Sequence, residues 1–417
     1  MNTSDTTTRH RAGEVTVTVL ARDGQPLRDT VVTVEQRRHA FAFGNIAFDL
    51  VPLVGGAGPA GQGLPDALDL DRYAALWLNL FNTATLPFYW GRYEPRPGVT
   101  DEARIAATAR WLAERGVTVK GHPLVWHTVQ PGWLLELPPD EVERRQRQRI
   151  RDIVGGFAGL IDTWDAINEV VIMPVFANGD NAITRLARER GRIFMVRMAF
   201  EEARAANPAA TLVLNDFDLS SAYECLIEGV LEAGVKIDAI GLQTHMHQGF
   251  RGEEELGGML DRFARYGLPL HLTETSLVSG HLMPPEIGDL NDYRVPDWPS
   301  TPDGEERQAD EIARHYRLLV GHPAVQSVNY WGLTDAGAWL GAPIGLVRAD
   351  GSVKPSYTAL EGLVKGEWWL PPTELRTDPE GRVTVRGFFG GYAVTAAGTS
   401  AGFEVRPGVP ALPVTLA

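Results

Sequence analysis

Two glutamates in this 417-residue chain each follow a short apolar stretch, where paired carboxylates could do acid–base and nucleophilic chemistry. Glu169 ends the segment WDAINE at residues 164–169, and Glu274 ends the segment LHLTE at residues 270–274. They are 274 − 169 = 105 residues apart, so only the tertiary fold can bring them together. Retaining cleavage of a glycosidic bond needs two carboxyl groups about 5–5.5 Å apart, one to protonate the leaving oxygen and one to attack the anomeric carbon. Two glutamates at strand ends are suited to that task.

The residue before the first glutamate strengthens this interpretation. Asn168 directly precedes Glu169, and an amide in that place can hydrogen-bond the 2-hydroxyl of a sugar, a contact that strengthens in the transition state. Taken singly, a glutamate after an apolar strand is more often a helix cap or an ion-pair partner. The pair, with both members at strand ends, favours catalysis.

Imidazole and indole side chains follow two other apolar stretches, GHPLVWH at residues 121–127 and NYWGLTD at residues 329–335. Imidazoles can donate hydrogen bonds to sugar hydroxyls, and indole faces can stack on sugar rings. Ordinary packing inside the protein is the alternative role for each of them. We predict that four of these side chains line a substrate site together with Trp339, which lies just beyond the second segment. The four are His122, Trp126, His127 and Trp331.

The histidines could instead be metal ligands of a metal-dependent hydrolase, because His245 and His247 follow one predicted strand and Asp216 follows another. No segment carries metal ligands at a tight spacing on one helix. We therefore predict neither a metal nor any other cofactor.

Eight short apolar stretches alternate with longer stretches of helical periodicity, and these elements must position the candidate residues. The predicted strands are 41–47, 81–86, 117–121, 163–168, 211–215, 239–244, 270–274 and 327–331. The predicted helices include 101–115, 140–157, 182–206, 253–266 and 305–320. Eight alternating units predict an α/β fold, a (β/α)₈ TIM barrel, with its active site at the C-terminal ends of the strands. A doubly wound open sheet is disfavoured because no glycine-rich phosphate loop follows the first strand.

The two ends of the chain are β-rich and flank the barrel. We predict a disordered tail over residues 1–12, an N-terminal β segment over 13–38, the barrel over 39–366 and a C-terminal β segment over 367–417. Neither β segment has enough strands for its own core, so together they should form a small β-sandwich-like appendage. Trp368 and Trp369 leave open a carbohydrate-binding module, but we favour a structural appendage that buries them.

Composition excludes several other partners. The net charge of −14 and the isoelectric point near 5.2 disfavour nucleic acid and anionic membrane surfaces. No apolar run approaches the roughly 20 residues that span a bilayer. Residues 1–13 lack an apolar secretory region, which predicts a cytoplasmic protein, or a secreted one if a leader was removed.

The single cysteine, Cys225, excludes an intramolecular disulfide and is predicted to be a small core residue.

The ordered motifs resemble glycoside hydrolase family 10, whose best-known members are endo-β-1,4-xylanases. Over residues 39–366 the chain carries, in the family's order, GHPLVWH, WDAINE, IGLQTH, LTE, NYWGLTD and KPSY. The resemblance implies a retaining mechanism with Glu169 as general acid/base and Glu274 as nucleophile. It also implies a set of residues on the glycone side of the cleaved bond: His122, Trp126, Asn168, Gln243, His245, Trp331 and Trp339.

Several segments depart from the family pattern. After the second strand the family usually carries Glu-Asn and then Lys-Trp, whereas residues 85–90 read TLPFYW. Trp90 matches and is predicted to contact substrate, but Asn and Lys are absent. The usual Asp-Tyr-Asn after the fifth strand is DFD at residues 216–218, and the usual acidic residue two places past the nucleophile is Ser276. Residues 278–304 form a long proline-rich insertion, and active-site loops of that length are usually functional.

The sequence therefore predicts a retaining, xylanase-like β-glycoside hydrolase that acts on an oligosaccharide or polysaccharide. One alternative is an exo-acting enzyme, or one for short oligosaccharides and aryl glycosides, built on the same machinery. Another alternative is a catalytically silent barrel that only binds carbohydrate. The retained pair of carboxylates disfavours it, because binding alone needs no acid/base couple.

Overall fold

A closed barrel of parallel strands forms the body of the protein. The computed structural model describes residues 7–56 and 70–416. Its strands are β1 (Ala12–Leu20), β2 (Val31–His39), β3 (Ala42–Ile46), β4 (Thr83–Pro87), β5 (Thr118–His122), β6 (Thr163–Asn168), β7 (Thr211–Asp216), β8 (Ala239–Met246), β9 (Leu270–Leu277), β10 (Val325–Tyr330), β11 (Thr373–Arg376), β12 (Arg382–Phe388), β13 (Gly390–Ala396), β14 (Thr399–Val405) and β15 (Ala411–Thr415). The barrel runs in the order β10-β3-β4-β5-β6-β7-β8-β9, and each predicted barrel strand overlaps one of these, which confirms the predicted fold class.

Helices cover the outside of the barrel between successive strands. They are α1 (Leu50–Gly55), α2 (Leu70–Leu80), α3 (Trp90–Tyr93), α4 (Glu102–Ala113), α5 (Pro139–Gly156), α6 (Ala182–Arg190), α7 (Arg192–Ala206), α8 (Ser221–Glu232), α9 (Glu253–Ala264), α10 (Pro302–Gly321) and α11 (Pro355–Glu361). The helix predicted over 182–206 is broken at Gly191, whose φ of +84° ends α6 before α7 begins. Cys225 is exposed, not buried as predicted, because α8 turns Tyr223, Leu226 and Ile227 toward the core instead.

Burial on both faces explains why the barrel strands have near-continuous apolar sequences. In β7 every residue after Thr211 is buried, and β8 is buried along all but one position. Strands covered on both faces need this composition, whereas strands with a wet face alternate. The polar residues that interrupt these runs, such as Asn215 and Gln243, lie near the C-terminal ends of their strands, where the barrel opens.

The two terminal β segments combine into a small sandwich, as predicted. One sheet has the order β12-β1-β15 and the other the order β11-β2-β13-β14. In β1 alternate residues are buried, and Val17 lies opposite Val383 of the antiparallel β12. Valines and aromatic residues from both sheets form a core separate from that of the barrel. Trp368 is buried and stacks on Phe43 of the barrel, which agrees with a structural role for that tryptophan.

The prediction of a disordered tail is wrong for residues 7–12, while residues 1–6 lie outside the described residues. A short 3₁₀ turn covers Arg9–Arg11, and β1 begins at Ala12. The Arg11 guanidinium donates to the backbone carbonyls of Val320 and His322 at the C-terminal end of α10. A cation there satisfies carbonyls that the helix leaves unpaired, which fixes the segment. Within the described part of the chain, no helix combines the length and apolar character needed to span a bilayer.

Candidate active site

The two glutamates lie at the C-terminal ends of two barrel strands separated by β7 and β8. Glu169 directly follows β6, and Glu274 lies within β9. The pairing of β6 with β7 skips one residue between Asp165 and Ile167, and the pairing of β8 with β9 shifts beside Gln243. Such bulges turn a side chain away from its regular direction. Glu169 also has a φ of +57°, a conformation that most residues avoid. The backbone is thus shaped locally around both carboxylates.

A chain of side-chain amides connects the two carboxylates. The Gln243 amide donates to Oε1 of Glu169 at 3.3 Å and to Oδ1 of Asn168 at 3.0 Å. The Asn215 amide donates to the same Asn168 oxygen at 2.7 Å and to Oε1 of Glu274 at 3.0 Å. Asn168 itself donates to Glu169 at 3.1 Å. These bonds join both carboxylates in one hydrogen-bond network at the mouth of the barrel, although the glutamates are far apart in sequence.

Glu274 is buried and is held from two further sides. Nε2 of His245 lies 3.1 Å from Oε2 of Glu274, and Nδ1 of the same ring lies 2.9 Å from the Ser276 hydroxyl. Nε2 of His122 lies 3.9 Å from Oε1 of Glu274. Ser276, which replaces an acidic residue of the family pattern, therefore orients His245 without adding a negative charge beside Glu274.

A buried ion pair supports His122 from below. Nδ1 of His122 and Nζ of Lys120 each lie 2.7 Å from Oδ2 of Asp165. Burial acts to raise the pKa of Asp165, but Lys120 and the hydrogen bond from His122 outweigh it, so that the pKa of this carboxyl is lowered. An ionised Asp165 fixes the orientation of the His122 ring, whose other nitrogen then faces Glu274.

Glu169 occupies different surroundings. Its Oε2 accepts a hydrogen bond of 2.8 Å from Nε1 of Trp126. Burial and the nearby negative charge of Glu274 raise the pKa of Glu169 to about 8, although the bonds from Trp126 and Gln243 oppose the shift. At neutral pH this carboxyl is therefore mainly protonated and can give up a proton.

Asp216 is a buried carboxyl beneath the loop that follows Glu169. Its two oxygens accept hydrogen bonds of 3.0 Å from the backbone N–H groups of Val171 and Asp218. Burial raises the pKa of Asp216 to about 7, against the effect of these bonds. Its position ties the end of β7 to the loop after β6, so it supports Glu169 instead of facing the mouth.

Aromatic rings form a wall around the carboxylates. The Trp331 ring lies 5.2 Å from His122 and 5.9 Å from His245, edge to face in both cases. Tyr89 lies 5.6 Å from His122 and 5.4 Å from Trp126. Burial and the charge of Glu274 raise the pKa of Tyr89 well above 10, so the phenol stays neutral and able to donate a hydrogen bond.

Two residues predicted to contact substrate lie apart from this cluster. Trp90 is the first residue of α3, and its ring is buried under Arg149, with Nε1 donating to Glu94 at 2.9 Å. Its neighbour Tyr89, just before the helix, takes the place at the mouth. His127 is buried behind Trp126, with its ring 4.3 Å from that of Phe176, and burial lowers its pKa to about 4. It supports the wall and does not reach the carboxylates.

The insertion over residues 278–304 lies over the ends of β8, β9 and β10. Met283 and Trp298 pack with Ala342 and Ile344 in a small apolar cluster of their own. The backbone N–H of Met283 donates to the carbonyl of His247 at 2.9 Å. The insertion therefore joins the loop after β10 in one wall beside the mouth.

Trp339 lies on the inner side of this wall. Its half-buried ring is 4.9 Å from that of His245 and 5.2 Å from that of His247. His247 is fully buried, and its pKa is lowered to about 3 by burial and by the nearby His245. Among residues 7–56 and 70–416, no three His, Cys, Asp or Glu side chains are grouped so as to hold a metal ion.

A (β/α)₈ barrel whose mouth pairs two glutamates with amides, imidazoles and indoles defines a class, the barrel glycosidases. The family model described as glycosyl hydrolase family 10 matches residues 73–362. The chain belongs to this family and is a glycosidase that hydrolyses O-glycosyl bonds.

The chain is similar to xylanases and to an anti-sigma factor. A β-1,4-xylanase of Dictyoglomus thermophilum is 28% identical over 291 residues, which cover 66% of this chain and 77% of that protein. The anti-sigma-I factor RsgI6 of Acetivibrio thermocellus is 24% identical over 393 residues, which cover 92% of this chain but only 45% of that protein. The crystal structure of xylanase 10B from Thermotoga petrophila in complex with xylobiose superposes with a TM-score of 0.63 at 22% identity, covering 79% of this chain and 95% of that one. This likeness supports the barrel fold.

Proposed function

We propose that this glycosidase works with retention of configuration, with Glu169 as the general acid/base and Glu274 as the nucleophile. The observation that carries the proposal is the contrast between their surroundings. Burial and the charge of Glu274 raise the pKa of Glu169 to about 8, whereas Glu274 lies within hydrogen-bonding distance of Asn215 and His245. Two carboxyl groups whose environments differ in this way take the roles of acid and nucleophile.

The chemistry follows in two displacements. A carboxylate oxygen of Glu274 attacks the anomeric carbon, the glycosidic C–O bond breaks, and Glu169 gives its proton to the departing oxygen. In the second step the Glu169 carboxylate takes a proton from water, whose oxygen attacks the same carbon and releases Glu274. We assign the amides of Asn168 and Gln243 to the hydroxyl next to the reacting carbon, because both contact Glu169.

Chemical rescue tests the role of Glu169 and the retention of configuration. In Glu169→Ala, substrates with good leaving groups should still form the covalent intermediate, because departure of an activated phenol needs no proton. Added azide should then restore turnover and give a β-glycosyl azide. The control is Glu311→Ala, which removes a buried carboxyl whose pKa is also raised but which lies on the outer helix α10. An α-azide, or equal rescue of the control, contradicts the assignment.

We further propose that short or decorated β-glycosides are better substrates than long xylan. The segment TLPFYW at residues 85–90 lacks the amide and ammonium that grip the second glycone sugar in the family pattern. It presents Tyr89 instead. The insertion packs against the loop that carries Trp339, and we infer that this wall narrows the mouth. Each charged contact of the missing kind is worth roughly 1.5–3 kcal/mol, so losing both should reduce the gain from longer substrates by at least about tenfold.

A chain-length series tests this specificity. We expect kcat/KM to change little from xylobiose to xylohexaose and to be lower on soluble xylan. Trp298→Ala, which removes a large side chain from the insertion's apolar cluster, should raise activity on longer substrates relative to shorter ones. A steep rise of kcat/KM with length in the wild-type enzyme, with polymer as the best substrate, contradicts the proposal and indicates an ordinary endo-xylanase.

A further inference from the structure

A cavity of about 430 Å³ lies at the end of the barrel opposite the candidate active site. On one side it is bounded by the first residues of barrel strands, among them Ala42, Thr83 and Thr118. On the other side it is bounded by the terminal sandwich through Phe388 and Phe389. Barrel enzymes carry out their chemistry at the other end of the strands, so the proposed mechanism makes no use of this cavity.

The charged side chains that line the cavity are cationic. Its titratable side chains are His10, Arg11, Arg38, His39, Lys120 and His271. None of the described residues that line it is an aspartate or a glutamate. Burial lowers the pKa of His39 and of His271 to about 4, so both rings are neutral at neutral pH. Lys120 is paired with Asp165, so the net positive charge of the lining comes from Arg11 and Arg38, in a chain whose overall net charge is −14.

The two arginines have no carboxylate counter-ion within 4 Å among residues 7–56 and 70–416. Arg11 donates to backbone carbonyls, including that of His322 at 2.8 Å, and Arg38 donates to the Thr118 hydroxyl at 3.2 Å. These neutral acceptors position the exposed guanidinium of Arg38 and the half-buried one of Arg11 without supplying an anionic partner. Guanidinium groups prefer the planar, two-oxygen geometry of a carboxylate or phosphate.

A series of side-chain contacts leads from the deep end of the cavity to the active site. Lys120 is buried, and its ammonium lies 2.7 Å from the Asp165 oxygen that also contacts His122. His122 in turn lies 3.9 Å from Glu274. Beside Lys120, the ring of His271 makes no hydrogen bond to any described residue and lines the cavity. A charge placed here would act on the ammonium that holds Asp165 ionised.

The walls between these polar groups are aromatic. Phe41, Phe43 and Trp368 line the cavity, and the Arg11 guanidinium lies 4.9 Å from the centre of the Phe41 ring. We propose that the cavity binds a small aromatic carboxylate, and that its occupation changes the rate of glycoside hydrolysis through Lys120. The second half of this proposal rests on the proposed roles of Glu169 and Glu274.

Calorimetric titration with benzoate, benzyl alcohol and inorganic phosphate at low ionic strength tests the site. Benzoate should bind most tightly, because it alone combines the charge with the aromatic body. Arg38→Gln should weaken benzoate binding about tenfold, the cost of one charge-assisted contact. Gln326→Trp fills the cavity from an exposed position and should abolish binding without removing a charge. Arg110→Gln, on the exposed face of α4, is the control and should bind as the wild type does.

The rate measurement tests the connection. Saturating benzoate should change kcat/KM by about fivefold in the wild type. It should leave Gln326→Trp unaffected, and Arg38→Gln should need about tenfold more benzoate for half of the change. Glu274→Gln, which should be inactive, should still bind benzoate, so failure of the proposed catalysis and failure of this site give different results. Absent binding, or binding that survives both cavity variants, overturns the site. Binding without any change in rate overturns its influence on the active site.

Discussion

The barrel mouth and the terminal sandwich both bury their side chains, but they bury different kinds. At the mouth Asn168, Asn215 and Glu274 are at most 5% exposed, and each is satisfied by other polar side chains. In the sandwich Val17 and Val394 are fully buried against apolar neighbours. Buried polar groups gain little net stability and fix geometry, whereas buried apolar groups supply the free energy of folding. Substitutions in the two regions should therefore separate activity from stability.

The largest effect is expected from Glu274→Gln. The amide cannot form the covalent intermediate, so kcat on an aryl β-xyloside should fall about 10⁴-fold or more. Because the new side chain has the same shape, the midpoint of thermal unfolding should stay close to that of the wild type. Both quantities are measured on the same preparation. A variant that keeps more than a hundredth of the wild-type rate would show that the nucleophile is another group.

The next effect concerns Glu169 and pH. Only the protonated form of Glu169 can act as the acid, so kcat/KM should fall as pH rises through about 8. In Glu169→Gln the rate on a substrate with a poor leaving group should drop by about 10²–10⁴-fold, and the alkaline limb should disappear. A pH–rate profile of both enzymes checks this. An alkaline limb that persists in the variant assigns it to another group.

The same substitution should also stabilise the fold at alkaline pH. A carboxyl whose native pKa is raised contributes stability that is complete below its unfolded pKa of 4.5 and is lost as pH rises through about 8. Glutamine has no proton to lose, so Glu169→Gln should gain roughly 2 kcal/mol over the wild type between pH 4 and pH 9, less than the full linkage value because the group keeps some exposure. Urea unfolding at both pH values measures it. An equal stability difference at both would contradict the shift.

In the sandwich, a substitution should lower the free energy of unfolding without lowering the catalytic rate. Val394→Ala removes two buried methyl groups and should lower the free energy of unfolding by about 2 kcal/mol. Because the site is remote from the carboxylates, kcat per folded molecule should not change. Val31→Ala is the matched control, since Val31 is 45% exposed and its loss should cost less than about 0.5 kcal/mol. A fall in kcat of the folded Val394→Ala enzyme would indicate that the two regions are coupled.

The smallest effect is expected from chelation. Two carboxylates suffice for the proposed displacements, so dialysis against a chelator should leave kcat/KM unchanged. This prediction concerns His245 and His247, because the sequence makes both of them candidate metal ligands. Activity that disappears on dialysis and returns with zinc or manganese would reassign them.

Apolar runs and strand order allowed the barrel to be predicted, since fully buried strands have a distinctive composition. Glu169 and Glu274 could be placed at one mouth because all parallel strands open at the same end. Asn215 was missed as a link between them, because its contacts depend on strand register and on the bulges beside Asp165 and Gln243. Local sequence does not encode that register.

The predictions for Trp90 and Arg11 were wrong for different reasons, one local and one long-range. Trp90 matches the family pattern and was predicted to contact substrate, but α3 begins at Trp90 and its ring packs on Arg149. Arg11 was assigned to a tail because its partners at the end of α10 are 309 or more residues away. Contacts of that separation leave no trace in local periodicity.

The pairing of β1 with β12 has a consequence for the order in which the protein is made. Val17 and Val383 are opposite each other, 383 − 17 = 366 residues apart. At about 5–20 residues per second, the ribosome needs roughly 20–70 s to add that length. Throughout that time β1 has been synthesised without its partner, and its stripe of valines is a ready template for wrong pairing. Nascent chains of this protein should therefore depend on chaperones until β12 emerges, even though the barrel strands can assemble earlier.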